Sequence, residues 1–199
     1  MATRPRRLVL ASASPGRLRL LRDAGFDPEV MVSGADETVT DGESTAAIVL
    51  TLARRKAATV AAASGDALVV GCDSLLDLDG VAYGKPADAA DAADQWRRMR
   101  NRAGTLLTGH CIIDTSTGDQ AADVAATTVR FGSPTDAEIA AYVATGEPLA
   151  VAGAFTLDGR AAPFIDGIDG DPSNVIGLSL PLLRRLLAKL GVEVTGLWC

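Results

Sequence analysis

Little in this chain could hold a fold together other than a hydrophobic core. Its 199 residues include three cysteines, Cys72, Cys111 and Cys199, which lie far apart and form no CxxC pair. An odd, widely spaced set excludes a disulfide framework and a zinc ribbon and points to a reducing compartment. The single histidine, His110, offers a Ser-His-Asp triad only one base, and no GxSxG elbow accompanies it. No Walker-type GxxxxGK loop is present, and no GxGxxG opens a helix. Aromatic residues make up only 4%. No run approaches the roughly 18 apolar residues of a membrane span. The basic stretch Met1–Arg7 is followed by only Leu8–Ala11 before Ser12, too short for the apolar region of a signal peptide, so a cytoplasmic location is expected.

What is present is ordinary globular material, 48% hydrophobic and 22% charged. The length suits a single domain, 1–199, with room for two lobes and a core that needs no staples. The net charge of −6 disfavours duplex DNA and anionic membranes as partners. A small anionic substrate stays open, because a local basic pocket can exist on an acidic body.

Arg7–Ala11 reads as a short buried strand that breaks at Ser12-Ala13-Ser14-Pro15-Gly16-Arg17. Ser14 fits a helix N-cap, Pro15 the first helical position and Gly25 the stop. Glu29–Val32 is extended and ends in the acidic turn Gly34–Glu37. Thr45–Ala63 carries apolar residues at helical spacing. Ala67–Cys72 is the strongest strand run and is expected to deliver Asp73-Ser74 at its end. Leu75–Leu78 continues extended to a hairpin-like turn at Asp79-Gly80, and Val81–Tyr83 returns from it. Asp88–Arg100 is helical, and Thr105–Asp114 pairs with Val124–Phe131 across a turn at Thr115–Gly118. A helix opens at Ser133-Pro134 and stops at Gly146. Val151–Phe155 and Ala162–Ile165 read as short strands, Asp171-Pro172 starts a turn or short helix, and Leu180–Leu190 is a final helix. Alternation early and paired strands in the middle predict a mixed α/β sheet with flanking helices.

Three groups could carry chemistry. The Ser12–Arg17 turn points backbone N–H groups at a helix N-terminus, where an anion is favoured, and adds hydroxyl and guanidinium donors; a capped helix alone also explains it. Asp73 and Asp36-Glu37 follow strands, and together would form an oxygen-rich site suited to Mg²⁺; simple turn capping is the alternative. Asp73 could also take a proton from water. Lys56 interrupts the apolar stripe of Val49, Leu52 and Val60, either snorkelling to the rim or facing a phosphate. Lys85 sits on the tight turn Gly84-Lys85-Pro86. His110, among apolar neighbours, reads as a core residue.

In this order these pieces resemble the Maf family of nucleoside triphosphate pyrophosphatases. The resemblance rests on Leu10–Arg17 with Leu20-Leu21, Asp36-Glu37, Leu52–Ala57, Cys72–Ser74 and Gly84–Pro86. It continues through Thr108-Gly109, Gly146–Pro148, Ala152–Phe155 and Gly170–Leu178, across residues 8 to 190. It implies a long curved mixed sheet with flanking helices and two lobes around a cleft, as in inosine-triphosphate pyrophosphatases. It also implies a homodimer and hydrolysis of a nucleoside triphosphate, standard or modified, to the monophosphate and pyrophosphate with Mg²⁺ or Mn²⁺. By resemblance Asp73 is the proton acceptor, Lys56 and Lys85 face phosphates, and Glu37 lies with Asp73 near the metal. Ser12, Ser14, Gly16 and Arg17 form the phosphate loop, and Ser74, Thr108, Glu147, Asp158, Ser173 and Asn174 complete the substrate contacts.

The chain departs from the family's dTTP/UTP-acting subgroup where one arginine is replaced by Gly16 and a glutamine by Asp158. An ionised Asp158 accepts hydrogen bonds only, so a base edge rich in N–H donors, such as guanine, is expected to suit it. A nucleotide-binding regulator of septum formation or cell division, without essential turnover, is the alternative class. Retention of Asp73, Glu37, Lys56 and Lys85 together favours the enzyme.

Overall fold

A computed structural model describes residues 6–38 and 42–199; most of the basic Met1–Arg7 stretch lies outside them. One mixed sheet runs through the molecule. Its strands are β1 (Leu8–Leu10), β2 (Glu29–Val30), β3 (Leu68–Leu78), β4 (Val81–Tyr83), β5 (Ala103–Asp114), β6 (Gln120–Phe131) and β7 (Ile165–Asp169). The order is β2-β1-β3-β5-β6-β7, with β4 beside β3. β1 is parallel to β2 and β3, while β3, β5, β6 and β7 are antiparallel in sequence, so the expected mixed sheet is present. The helices are α1 (Pro15–Asp23), α2 (Thr45–Ala61), α3 (Ala89–Met99), α4 (Asp136–Ala144), α5 (Pro172–Ile176) and α6 (Leu180–Lys189).

Local chemistry sets these boundaries. Ser14 accepts from the Arg17 backbone N–H at the start of α1, and Ser44 from Ala47 at α2. Thr135 and Glu138 form a capping box on α4. α2 buries Val49, Leu52, Ala53, Ala57 and Val60, the stripe read from the sequence.

Two apolar clusters dominate. One gathers Leu10, Leu21, Leu68, Val70, Ile112, Leu178 and the α6 leucines. The other centres on Trp96, whose ring meets Phe131, Tyr142 and Phe164 edge-to-face at 5.9, 5.6 and 5.8 Å and whose indole N–H donates to the Ala154 carbonyl at 2.8 Å. Six of the eight aromatic residues collect there. β3, β5 and β6 each contribute one end to the first cluster and the other end to the second.

Two expectations are corrected. Asp73-Ser74 do not stand at a strand end: the apolar run and the Leu75–Leu78 stretch, extended as expected, are one strand, β3, whose register with β5 holds from Leu68↔Asp114 through Asp77↔Thr105 and carries the polar pair in its middle. The apolar pieces 151–155 and 162–165 are mainly 3-10 turns, Ala152–Ala154 and Ala162–Phe164, rather than strands. Gly153 and Ala154 adopt left-handed φ of 70° and 59°, which no strand tolerates.

Candidate active site

The far edge of β3 has a gap. β1 pairs with Leu68–Val70 and β4 with Leu76–Leu78, so, among the described residues, 71–75 lack a strand partner on that side. Asp73 and Ser74 lie in this gap and, as neighbours in a strand, leave opposite faces of the sheet. Each face supplies one arm of the site.

On the α2 face, the Lys56 ammonium donates to Asp73 Oδ1 at 2.5 Å and to Glu37 Oε1 at 2.7 Å. The Lys56 and Asp73 side chains are only 13% and 14% exposed, whereas Glu37 is 65% exposed and reaches in from solvent. Burial pulls the Lys56 pKa down, but the two carboxylates outweigh it and leave the ammonium firmly charged. Hydrogen bonding to Lys56 holds Glu37 below the ordinary carboxylate range, with the charges of Lys85 and Arg17 acting in the same direction. Glu37 therefore feels all three cations.

The other arm belongs to Arg17. Its Nε donates to the Gly177 carbonyl at 2.7 Å, one terminal nitrogen to Ser12 Oγ and the Cys72 carbonyl at 3.0 Å each, and the other to Ser74 Oγ at 3.0 Å. Ser74 Oγ lies 2.9 Å from Thr108 Oγ1. The guanidinium thus occupies the gap itself, against the carbonyl next to Asp73, and commits four of its five N–H donors to the protein. The sequence reading gave Arg17 to phosphate alone; in the fold it also ties α1, β3 and the turn after α5 together.

The remaining candidates divide. Ser12 is buried and accepts from the Ser14 backbone N–H at 3.2 Å, while Gly16 passes beside Ile176. Lys85 is exposed on its turn, beside Gly153, whose N–H donates to the Gly84 carbonyl at 3.0 Å. Glu147 organises its own loop: Oε1 accepts from the Thr156 hydroxyl and from the Arg160 backbone N–H at 2.8 Å. Ser173 donates to Asp171 Oδ1 at 2.7 Å and accepts from the Leu180 N–H. Asn174 is fully buried and donates to the Leu106 carbonyl and to Thr127 Oγ1 at 3.1 Å each. Asp158 is ion-paired with Arg19 of α1, a residue the sequence reading passed over. An arginine on an exposed helix face carries no signal of a partner 139 residues away. His110 is a core residue as expected: its Nδ1 meets the Thr108 carbonyl at 3.0 Å and its Nε2 accepts from the Ser179 backbone N–H at 2.8 Å.

Two cavities, of about 330 and 590 Å³, lie elsewhere, beside Trp198 and beside Arg6 and Arg7 respectively, and neither is lined by any residue of this site. The cavity beside Trp198 is mainly apolar, and the one beside Arg6 and Arg7 also carries the carboxylates of Asp27, Glu29 and Asp66.

Asp73 and Glu37 provide oxygen donors of the kind a hard divalent cation takes. Lys56 engages one oxygen of each, and among the described residues the second oxygens make no hydrogen bond. No group of three or more His, Cys, Asp or Glu able to hold a metal occurs among the described residues. Two carboxylates plus substrate phosphates is a donor set that Mg²⁺ accepts, so the residues fit the ion.

A family model described as Maf-like protein matches residues 7–190. A protein of Streptomyces coelicolor named nucleoside triphosphate pyrophosphatase is 66% identical over 195 residues, covering 97% of this chain and 95% of its own. Proteins of the same name from Salinispora tropica and Thermosynechococcus vestitus are 55% and 53% identical, covering 98% and 92% of this chain and 88% and 93% of their own. With its family model spanning nearly every element that builds the notch, the chain belongs to the Maf-like protein family.

Proposed function

We propose that this chain is a nucleoside triphosphate pyrophosphatase, cleaving its substrate between the α- and β-phosphoryl groups to give a nucleoside monophosphate and pyrophosphate. The observation that carries the reading is the Lys56 ammonium held between Asp73 and Glu37 at the unpaired edge of β3, with Arg17 and Lys85 close enough to act on Glu37. The names of the relatives support it.

Attack on the α-phosphorus builds charge on phosphoryl and leaving-group oxygens, so catalysis is mainly positioning and charge neutralisation. In this reading Asp73, oriented by Lys56, aligns a water and accepts its proton. Lys56 and Lys85 face the phosphates, and the fifth N–H of Arg17 is free to join them. Backbone N–H groups at the start of α1 add donors for phosphate oxygens. A divalent cation, Mg²⁺ or Mn²⁺, would be held by Asp73 and Glu37 and would neutralise charge on the phosphates it shares with them. Ser12, Ser14, Gly16 and Ser74 line the phosphate side, with the fully buried Thr108 standing behind Ser74. We assign Asp158 to the base, and Glu147, Ser173 and Asn174 to the support of the substrate's surroundings.

We also take the working form to be a cytoplasmic homodimer, as the family resemblance implies; three unpaired thiols suit a reducing compartment.

The test is a panel of standard and modified nucleoside triphosphates incubated with Mg²⁺ or Mn²⁺ and scored for pyrophosphate against orthophosphate. Stoichiometric pyrophosphate supports the reading; orthophosphate alone, or binding without turnover across the panel, overturns it.

A further inference from the structure

The residue directly across the sheet from Asp73 is a glycine: Asp73 pairs with Gly109 of β5, two positions along from the pair Gly71↔Cys111. All four stand on the face that α2 covers, and α2 lies on it with its main chain rather than its side chains. A Cβ at Gly109 would fall 2.1 Å from the Val49 carbonyl oxygen and 2.7 Å from the Leu50 nitrogen. One at Gly71 would fall 2.4 Å from the Ala53 carbonyl oxygen and 2.7 Å from the Ala57 nitrogen. Ordinary contacts begin near 3.4 Å, and the obstacles here are backbone atoms that cannot rotate aside. Val49, Ala53 and Ala57, spaced four apart, are all fully buried along this seam.

Lys56 leaves α2 from the same turn as Ala53 and Ala57. Its ammonium must meet Asp73 at 2.5 Å and Glu37 at 2.7 Å simultaneously. The separation between helix and sheet therefore sets where the ammonium stands, and at this point it leaves no room for a Cβ. We propose that Gly109, assisted by Gly71, is a positioning residue for the reaction: its missing side chain seats α2 on the sheet at the depth that holds Lys56 against Asp73. The inference rests on the reading of Asp73 and Lys56 as the reacting pair.

The position of Gly109 fits a positional role better than a general packing role. Gly104, on the same strand, is also crowded, but by Leu76 Cδ1 at 3.0 Å and the Asp77 carbonyl at 3.1 Å, away from α2. Gly104→Ala therefore strains β5 without lifting the helix and serves as the matched control.

The experiment measures pyrophosphate release by Gly109→Ala, Gly104→Ala and Lys56→Ala, and by Gly109→Ala combined with Lys56→Ala, alongside Tm and nucleotide affinity. Displacing a reacting group by about 1 Å is expected to lower kcat of Gly109→Ala about 100-fold with KM within about threefold. Gly104→Ala should lower Tm while leaving kcat near wild type. Adding Gly109→Ala to Lys56→Ala should cost no further activity, because the glycine acts through the lysine. Wild-type kcat in Gly109→Ala, equal kcat losses in the two glycine variants, or additive losses in the combination would each overturn the proposal. If Gly109→Ala does not fold, Cys111→Val, which thickens the same seam against Ala53 and Ala57, should give a smaller kcat loss that again vanishes with Lys56→Ala; full activity there overturns it. Full activity of Asp73→Asn would instead sink the underlying reading, and so the two failures are distinguishable.

Discussion

Arg19, on α1, is ion-paired with Asp158, in the loop that follows the turn Ala152–Ala154. The pair joins an element of the first apolar cluster to one of the second. Its side chains are 56% and 29% exposed, so solvent screens it and it is worth under about 1 kcal/mol. Its interest lies in what it does to Asp158. A carboxylate held by a guanidinium is ionised and accepts hydrogen bonds only. Asp158→Gln is expected to change the rank order of nucleotides in a substrate panel, raising those whose base edge presents acceptors. Arg19→Ala, which frees the carboxylate, should change KM several-fold with kcat preserved. An unchanged rank order in Asp158→Gln would show that the residue does not read the base.

Asp73→Asn keeps the shape of the side chain and removes its basicity. Loss of a positioned general base typically costs 10²–10⁴-fold, so kcat should fall at least about 100-fold. Nucleotide affinity, measured by calorimetry, should stay within about threefold. Lys56→Met should also lose turnover, and it leaves the Asp73 and Glu37 charges facing each other without a shared partner. A near-normal rate in Asp73→Asn would place the proton acceptor elsewhere.

Arg17→Lys preserves the charge but not the fork. A lysine cannot reproduce four hydrogen bonds to four acceptors on three elements, because its donors radiate from one point. The substitution should destabilise the protein by about 2 kcal/mol and lower Tm by about 4–8 °C. KM should rise along with it. A Tm equal to wild type would show that the guanidinium contacts do not support the fold in solution.

His110 gives the fold a pH dependence of its own. Burial pushes its pKa down from 6.5 to about 4, with the Thr108 carbonyl opposing the shift. The Ser179 N–H donating to Nε2 also requires the neutral ring. Between those two pH values the unfolded chain binds a proton that the folded chain does not, so acidification favours unfolding. The contribution is full above about pH 6.5 and is lost as pH falls toward about 4, amounting to at most on the order of 3 kcal/mol. The difference in urea midpoint between wild type and His110→Gln, followed from pH 7 to pH 4, should shrink over that window. A constant difference would rule the effect out.

The sequence made much of this legible, and the exceptions have physical causes. Lys56 stood out because it breaks an apolar stripe, and the stripe fixed the helix on which it rides. The strand before Asp73 and the extended Leu75–Leu78 stretch were both readable, but not that Asp73 and Ser74 lie inside one unbroken strand. Polar residues end an apolar pattern, yet a strand gripped by a long antiparallel partner does not need one. The segments 151–155 and 162–165 misled because apolar content was taken for extension, whereas left-handed φ at Gly153 and Ala154 turns the chain instead. The Arg19–Asp158 pair was invisible, since nothing local distinguishes an exposed arginine with a remote partner from one without. Gly71 and Gly109 were visible as glycines inside strand patterns, a sign of close backbone approach, but the element that approaches them could be named only from the fold.

β3, β5 and β6 each pass from one apolar cluster into the other, so three continuous strands join the two halves of the core. Any widening around a bound nucleotide must be taken up as a change of coil along three continuous ribbons, like the flexing of a leaf spring. Such a spring resists in proportion to its bend and returns when the load leaves.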